Sequence, residues 1–450
     1  MLPKLREHFE KIGYQTLTPI QEAVWQPLTQ GESVVGLAPT GSGKTIAFTL
    51  PLLSKIMPGE GTQLLILSPS QELAMQTTEV VREWAQLLQL TVTAITGGAN
   101  VKRQIEKLKT NPEIIIGTPG RVLNLVNERK LKLHLIQSLV IDEADELLTD
   151  ETLKDIKDIE FQTSNDVQLA LFSATTTATL ENLDELFGQS IKTIDVRAID
   201  TTQGHVLHGN MQLANKQKVK MLQNFSHIKD FKALVFVNQT DTLNFLNSSL
   251  RHAHVPAAAL GGKQRGLDRA KALRMFRKGE IQFLLTTDVA ARGLDIPDLP
   301  AVINFELPSE KLVYTHRVGR TGRMGKDGLV INFGNEHDFR NLKKHLGTAY
   351  QLEKVFFANN KIVNTPVKTT ATTITNKNTQ RGAHTDHAAH TNLEQKAKIS
   401  ENNSKKQVAT VDAKTAQPLT RKQKIANQKK ARKRKGNVKN KGMRRSKDKV

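Results

Sequence analysis

Short continuous apolar runs punctuate the first two hundred residues. They lie at Val34-Val35-Gly36-Leu37, Leu64-Leu65-Ile66-Leu67, Ile114-Ile115-Ile116, Leu139-Val140-Ile141 and Leu169-Ala170-Leu171-Phe172. Runs of this length without polar alternation suit strands buried on both faces. Between them, residues 72–88 and 101–108 space their apolar side chains at the helical period. Strands alternating with helices predict an α/β domain, a mostly parallel sheet flanked by helices, over residues 1–197. Residues 198–208 are polar, break the pattern and read as a linker. A second alternating block occupies 209–363, with strands expected at Ala233–Val237, Phe283–Thr286, Ala301–Asn304 and Leu329–Asn332.

From Asn364 the composition turns to Thr, Asn, Ala, Gln and Lys with few large apolar residues, which predicts a disordered basic tail over 364–450. That segment holds 23 Lys and Arg against 5 Asp and Glu, leaving 42 against 39 in residues 1–363. The net charge of +21 is therefore a property of the tail. Any polyanion surface on the folded part must come from the placement of charges, not their excess. His384, His387 and His390 are spaced three apart, but a Thr/Ala-rich stretch makes coincidence the better reading than a metal site. With no cysteine, disulfides and thiolate metal sites are excluded. No apolar run approaches the ~20 residues of a membrane span, and the charged N-terminus does not read as a signal peptide. These features predict a cytoplasmic protein.

The candidate chemistry begins at the first strand. Ala38-Pro39-Thr40-Gly41-Ser42-Gly43-Lys44-Thr45 follows an apolar run and precedes a helical start. That is the context of a phosphate-binding loop, although Ala38 stands where the strict pattern has its first Gly. Gly41 and Gly43 let successive backbone N–H groups face an anion, with Thr40 and Ser42 completing the loop. Lys44 can reach the β- and γ-phosphates of a nucleotide, and the Thr45 hydroxyl can ligate Mg2+. After the strand Leu139–Ile141 comes Asp142-Glu143-Ala144-Asp145. An acid at a strand end near such a loop, Asp142, can hold Mg2+ through its water shell, and Glu143 is placed to orient or deprotonate an attacking water.

Taken with these, the later motifs resemble DEAD-box ATP-dependent RNA helicases of the small bacterial type over about residues 5–335. The fold this implies is two RecA-like P-loop NTPase domains. Leu17-Thr18-Pro19-Ile20-Gln21 resembles the family's adenine-reading element, so Gln21 is expected on the base. Pro69-Ser70-Gln71-Glu72-Leu73-Ala74, Gly97-Gly98 and Thr118-Pro119-Gly120-Arg121 resemble RNA-contacting elements, implying Pro69, Gly98, Thr118 and Arg121. Ser173-Ala174-Thr175 matches the tripeptide that couples hydrolysis to RNA handling. In the second block the resemblance implies Thr287 and Arg269 on RNA, and Asp295 on the ATP ribose. In His316-Arg317-Val318-Gly319-Arg320-Thr321-Gly322-Arg323 it implies coupling through His316, with Arg320 and Arg323 at the γ-phosphate. Guanidinium groups delivered from another domain stabilise transition-state charge only when the cleft closes.

Four positions depart from the family pattern. Its adenine-stacking aromatic, some seventeen residues before Gly13-Tyr14, has no counterpart here, so stacking is expected to come from elsewhere or to be weaker. Gln71 replaces an Arg, Gly261 a His and Gly266 a Gln, which should thin the RNA contacts. The expected activity is ATP-dependent binding and local unwinding of RNA with low sequence selectivity. An ATP-gated RNA clamp and a DNA helicase are the alternatives. Likeness to small bacterial members extends the expectation to ribosomal RNA or pre-ribosomal particles and to ribosome assembly at low temperature. Oligomeric state is not legible.

Overall fold

The computed structural model describes residues 1–365 except 203, 262–263, 265, 292–295, 297–298 and 324, and except the side chains of 266 and 267. Asp295, the Gly266 substitution and the tail from residue 366 onward thus fall outside what is described.

Seven strands form one parallel sheet: β1 (Val34–Leu37), β2 (Leu64–Leu67), β3 (Val92–Ile95), β4 (Ile114–Gly117), β5 (Ser138–Asp142), β6 (Gln168–Ser173) and β7 (Lys192–Asp195). Seven more form a second: β8 (Val206–Gln212), β9 (Ala233–Val237), β10 (Ala257–Leu260), β11 (Phe283–Thr287), β12 (Ala301–Asn304), β13 (Gly328–Gly334) and β14 (Leu352–Lys354). The orders are β3-β4-β2-β5-β6-β1-β7 and β10-β11-β9-β12-β13-β8-β14. Counted within each half, these are one and the same order, so the chain repeats a single topology. A small antiparallel hairpin, β15 (Phe356–Ala358) and β16 (Lys361–Val363), ends the described part.

The apolar runs become strands because both of their faces are covered. Leu65 and Leu67 of β2 enter one core while Leu64 and Ile66 enter the other. On β9, Val235 and Val237 point one way, Leu234 and Phe236 the other. Truncating one of the leucines, Ile66 or Phe236 to Ala should cost about 2–5 kcal/mol. The expected helix over 72–88 is Gln71–Ala85 with a tight turn Gln86–Leu88, started by the Ser70 hydroxyl accepting from the Leu73 N–H at 3.1 Å. The helix Val101–Leu108 has the expected bounds. The segment read as linker, 198–208, is strand from Val206 on. Its polar look misleads because β8 is an interior strand whose polar side chains find partners. His208 Nδ1 lies 3.0 Å from the Tyr314 hydroxyl, and Asn332 donates to Asn210 at 2.9 Å. Among the described residues no helix is long and apolar enough to cross a membrane.

Candidate nucleotide site and interdomain cleft

Three adjacent strands, β5, β6 and β1, end at Asp142, Ser173 and the phosphate loop. In that loop Gly41 and Gly43 have φ of 86° and 85°, a region open to glycine at little cost. The helix Lys44–Leu53 begins directly after. The Lys44 ammonium donates to the carbonyls of Ala38 and Pro39, each at 2.8 Å. Enclosure in the loop lowers its pKa, opposed by the charges of Asp142, Glu143 and Asp145. The Ser42 hydroxyl is fully buried with no hydrogen-bond partner among the described residues. Such an orphan suits an oxygen-rich ligand. Gln21 bridges this loop to the chain before it. Its Oε1 accepts from the Thr18 N–H at 3.0 Å and its Nε2 donates to the Gly43 carbonyl at 3.3 Å, while the Thr18 hydroxyl donates to the Ser42 carbonyl at 2.8 Å.

Glu143 adopts left-handed backbone, φ 50° and ψ 55°, between β5 and the short helix Ala144–Leu147. A glutamate there is strained, and such strain gathers at functional positions. Asp142 is buried, and burial with the neighbouring Glu143 charge pushes its pKa up to about 7, against the pull of Lys44. A cation beside this carboxylate would relieve that penalty, so Asp142 with Thr45 fits a hydrated Mg2+. Among the described residues no cluster of three His, Asp or Glu side chains forms a cage for a dehydrated metal ion.

The second half meets this site through the helix Lys311–Val318 and the loop after it. A Cβ on Gly319 would overlap the Thr40 hydroxyl, and the Arg323 side chain lies across Gly41. The Arg323 Nε donates to the Gly319 carbonyl at 2.8 Å and the Arg320 Nε to the His316 carbonyl at 3.2 Å. Arg320 shares a pocket of about 40 Å³ with Glu143 and Glu146. His316 stands against the acidic run, with Nδ1 at 2.5 Å from Glu146 and Nε2 at 3.1 Å from Asp145. The same Asp145 oxygen accepts from the Thr175 hydroxyl, and Ser173 is closed onto Thr175 by hydrogen bonds of 2.6 and 3.1 Å.

The candidate RNA residues of the first half gather at three further strand ends of the same sheet, after β2, β4 and β3. Pro69 follows β2, Thr118 starts the helix Pro119–Asn127, and Arg121 donates to Gln104 at 3.0 Å and to the Ala99 carbonyl at 3.3 Å. The Gln71 amide covers Gly97 and Gly98, where a Cβ would meet it at about 3.0–3.1 Å. In the second half, Thr287 ends β11, and Arg269 lies beside it on the helix Gly266–Arg277. Arg269 is committed to the protein in this arrangement: it donates to the Ala290 carbonyl at 2.5 Å and pairs with Glu72 of the first half at 2.7 Å. Asp295 lies outside the described residues.

Four residues stand out that sequence reasoning gave no role: Glu72, Asp145, Glu146 and above all Arg317. Arg317 is 1% exposed. It grips Asp288 with two hydrogen bonds, at 2.6 and 2.7 Å, and donates to Asn304, Asn238 and the Glu306 carbonyl. It also lies over the Phe236 ring at 5.0 Å. On the helix Lys311–Val318 consecutive residues point about 100° apart, so His316 faces the cleft while Arg317 turns into the domain. That offset was the available signal.

Comparison with known proteins yields two family matches, DEAD/DEAH box helicase over residues 18–183 and helicase conserved C-terminal domain over residues 217–325. A Bacillus subtilis relative, "Probable ATP-dependent RNA helicase YfmL", is 40% identical over 76% of this chain and 90% of its own. The Bacillus cereus "DEAD-box ATP-dependent RNA helicase CshC" is 36% identical over 79% of this chain and 92% of its own. Among solved structures, Saccharomyces cerevisiae Dbp5 bound to RNA and ADP BeF3 is similar with a TM-score of 0.72 and 28% identity, covering 79% of this chain and 94% of that one.

Proposed function

The chain belongs to the DEAD-box family of ATP-dependent RNA helicases, and from that membership we propose that it hydrolyses ATP to bind RNA and separate short duplexes. The observation that carries the reading is the meeting of the two halves: Gly319 and Arg323 on the phosphate loop, His316 on the acidic run. A site completed by both halves works only when they close, so an RNA strand spanning them can govern hydrolysis.

Loop amides, Lys44 and the helix start hold the phosphates, and Gln21 reads the adenine. Thr45 and Asp142 would hold Mg2+. The chemistry a bound Mg2+ would supply there is neutralisation of phosphate charge. Glu143 orients the attacking water and accepts its proton. Arg320 and Arg323 place positive charge where negative charge develops in the transition state. Pro69, Gly98, Thr118, Arg121 and Thr287 contact RNA through its backbone, so selectivity is low. Arg269 reaches RNA only by leaving Glu72. Ser173, Thr175 and His316 couple the two events through Asp145.

The relatives are named as helicases, which favours unwinding over a passive clamp. Their RNA, together with the RNA held by the yeast neighbour, favours RNA over DNA as substrate. A cytoplasmic location and work on ribosomal RNA rest on likeness to small bacterial relatives, and crosslinking in cells followed by sequencing of bound RNA tests both. For the activity itself, a short RNA duplex with a single-stranded extension should separate with ATP and not without it. A DNA duplex should neither separate nor stimulate ATP turnover. Equal stimulation by DNA would overturn the RNA assignment.

A further inference from the structure

His316 is held at both ring nitrogens by carboxylates, Glu146 at 2.5 Å and Asp145 at 3.1 Å. The His316, Glu146 and Asp145 side chains are only 16, 10 and 1% exposed. A neutral imidazole has one donor and one acceptor nitrogen, so it would set a lone pair against one of these two acceptors. Only the imidazolium donates to both. The other charged groups around the ring are Glu143 and Asp288, which line the same small pocket, and Arg317 and Arg320 next to it in sequence. Arg317 and Asp288 neutralise each other in their bidentate pair. Arg320 disfavours a charged His316 and Glu143 favours it. Burial works against the charge, but hydrogen bonds and charge from Asp145 and Glu146 outweigh it and hold the ring's pKa up at about 9.

We propose that Glu146 is a positioning residue for the ATPase cycle: by accepting from His316 Nδ1 across the cleft it seats the ring on Asp145 and makes closure take up a proton. The proposal rests on the closing cleft described above. When the halves part, His316 loses both carboxylates and titrates near the ordinary histidine value of 6.5. Its folded-cleft value is raised, so its contribution to closure is fully present below about 6.5 and is lost as pH rises through about 9. Asp145 alone cannot do this work as well. It already accepts from Thr175 with the same oxygen that faces His316, whereas Glu146 fixes the opposite edge of the ring. Glu146 also shares its small pocket with Arg320, but an effect carried by the imidazole changes with pH over this range, whereas one carried by a guanidinium, which stays charged, does not.

The test measures affinity for a fluorescent oligoadenylate in the presence of saturating AMP-PNP and Mg2+, from pH 6.5 to 9, with the full chain. Wild type is compared with Glu146→Gln, which removes the charge at nearly constant shape, and with Glu146→Asp, which keeps it. Titration of the nucleotide is common to all three and cancels in their ratios. Wild-type binding should weaken as pH rises. The ratio of wild-type to Glu146→Gln affinity should be about tenfold near neutrality, one pKa unit being a factor of ten, and should shrink as pH approaches 9. Glu146→Asp should keep most of the wild-type pH slope. AMP-PNP affinity without RNA, unchanged in the variants, shows that they are folded. A ratio constant across pH, the mark of a merely structural role, would overturn the assignment of Glu146 while leaving the helicase reading intact. Failure of wild type to bind RNA in a nucleotide-dependent way at any pH would overturn that reading and this proposal together.

Discussion

Gly319 of the second half lies so close to Thr40 of the phosphate loop that any side chain there would overlap the Thr40 hydroxyl. Its φ of −64° is open to every residue, so a substitution tests the contact and not the backbone. Gly319→Ala should leave ATP binding without RNA unchanged and weaken closure. Overpacking of this kind costs about 1–3 kcal/mol, or roughly 5- to 150-fold. The loss should show as a higher RNA concentration for half-maximal ATPase stimulation. Wild-type RNA dependence in this variant would mean that the two surfaces do not meet during turnover.

Nucleotide binding and hydrolysis should separate by mutation. Lys44→Ala removes the charge proposed to hold the terminal phosphates and should abolish both. Glu143→Gln keeps shape and hydrogen bonding but removes the proposed base, so ATP should still bind while turnover collapses. Equilibrium ATP binding and steady-state hydrolysis, measured side by side, check this. Hydrolysis by Glu143→Gln at the wild-type rate would remove Glu143 from the reaction.

Arg317 organises the second half rather than the phosphates. Arg317→Met leaves Asp288, Asn238 and Asn304 without their shared donor. Breaking a buried pair typically costs about 3–5 kcal/mol. Because Asp288 is about one third exposed, water recovers part of this, and about 2–3 kcal/mol is expected. Arg317→Lys should also destabilise, since an ammonium cannot reproduce the two-pronged grip. Urea denaturation checks both, and an unchanged midpoint for Arg317→Met would contradict the hub.

The interior strands and the phosphate loop were legible in the sequence, and the edges were not. β1, β2, β4, β5, β6, β9, β11, β12 and β13 are covered on both faces and read as apolar runs. The strands at the ends of the two sheets are β3, β7, β10 and β14; β3 is broken by Thr93, and β7 and β14 carry exposed charges such as Lys192 and Lys354. β10 is a run of three alanines and one leucine with no large apolar side chain before Leu260 to mark it. β8 was lost differently, its His208 and Asn210 being satisfied by side chains from distant elements. In the candidate site, Lys44 after the glycines and Glu143 after Asp142 hold positions set by their neighbours in sequence. Pairings across the cleft are not set in this way. Nothing local says that Glu72 meets Arg269 or that Glu146 meets His316, because each pair depends on how two separately folded sheets come together.

The charge split predicts a role for the tail in affinity, not in chemistry. Each Lys or Arg that neutralises a phosphate of a single strand steepens the fall of log K with log salt by ~0.7. Deleting residues 364–450 should weaken RNA binding at low salt and flatten that slope, by roughly 3.5 if five cations engage. Turnover at saturating RNA should stay near wild type. RNA titrations at three salt concentrations with full-length and truncated protein decide it, and an unchanged affinity and slope would rule out the tail as an RNA tether.

The central claim is that RNA brings Arg320 and its neighbours onto a nucleotide held by the first half. It is tested most directly by steady-state ATP turnover with and without single-stranded RNA, in wild type and Arg320→Ala. RNA should stimulate wild type strongly, and Arg320→Ala should lose about a thousandfold or more of the stimulated rate while still binding ATP. Wild-type turnover indifferent to RNA, or a variant stimulated as well as wild type, would contradict the account.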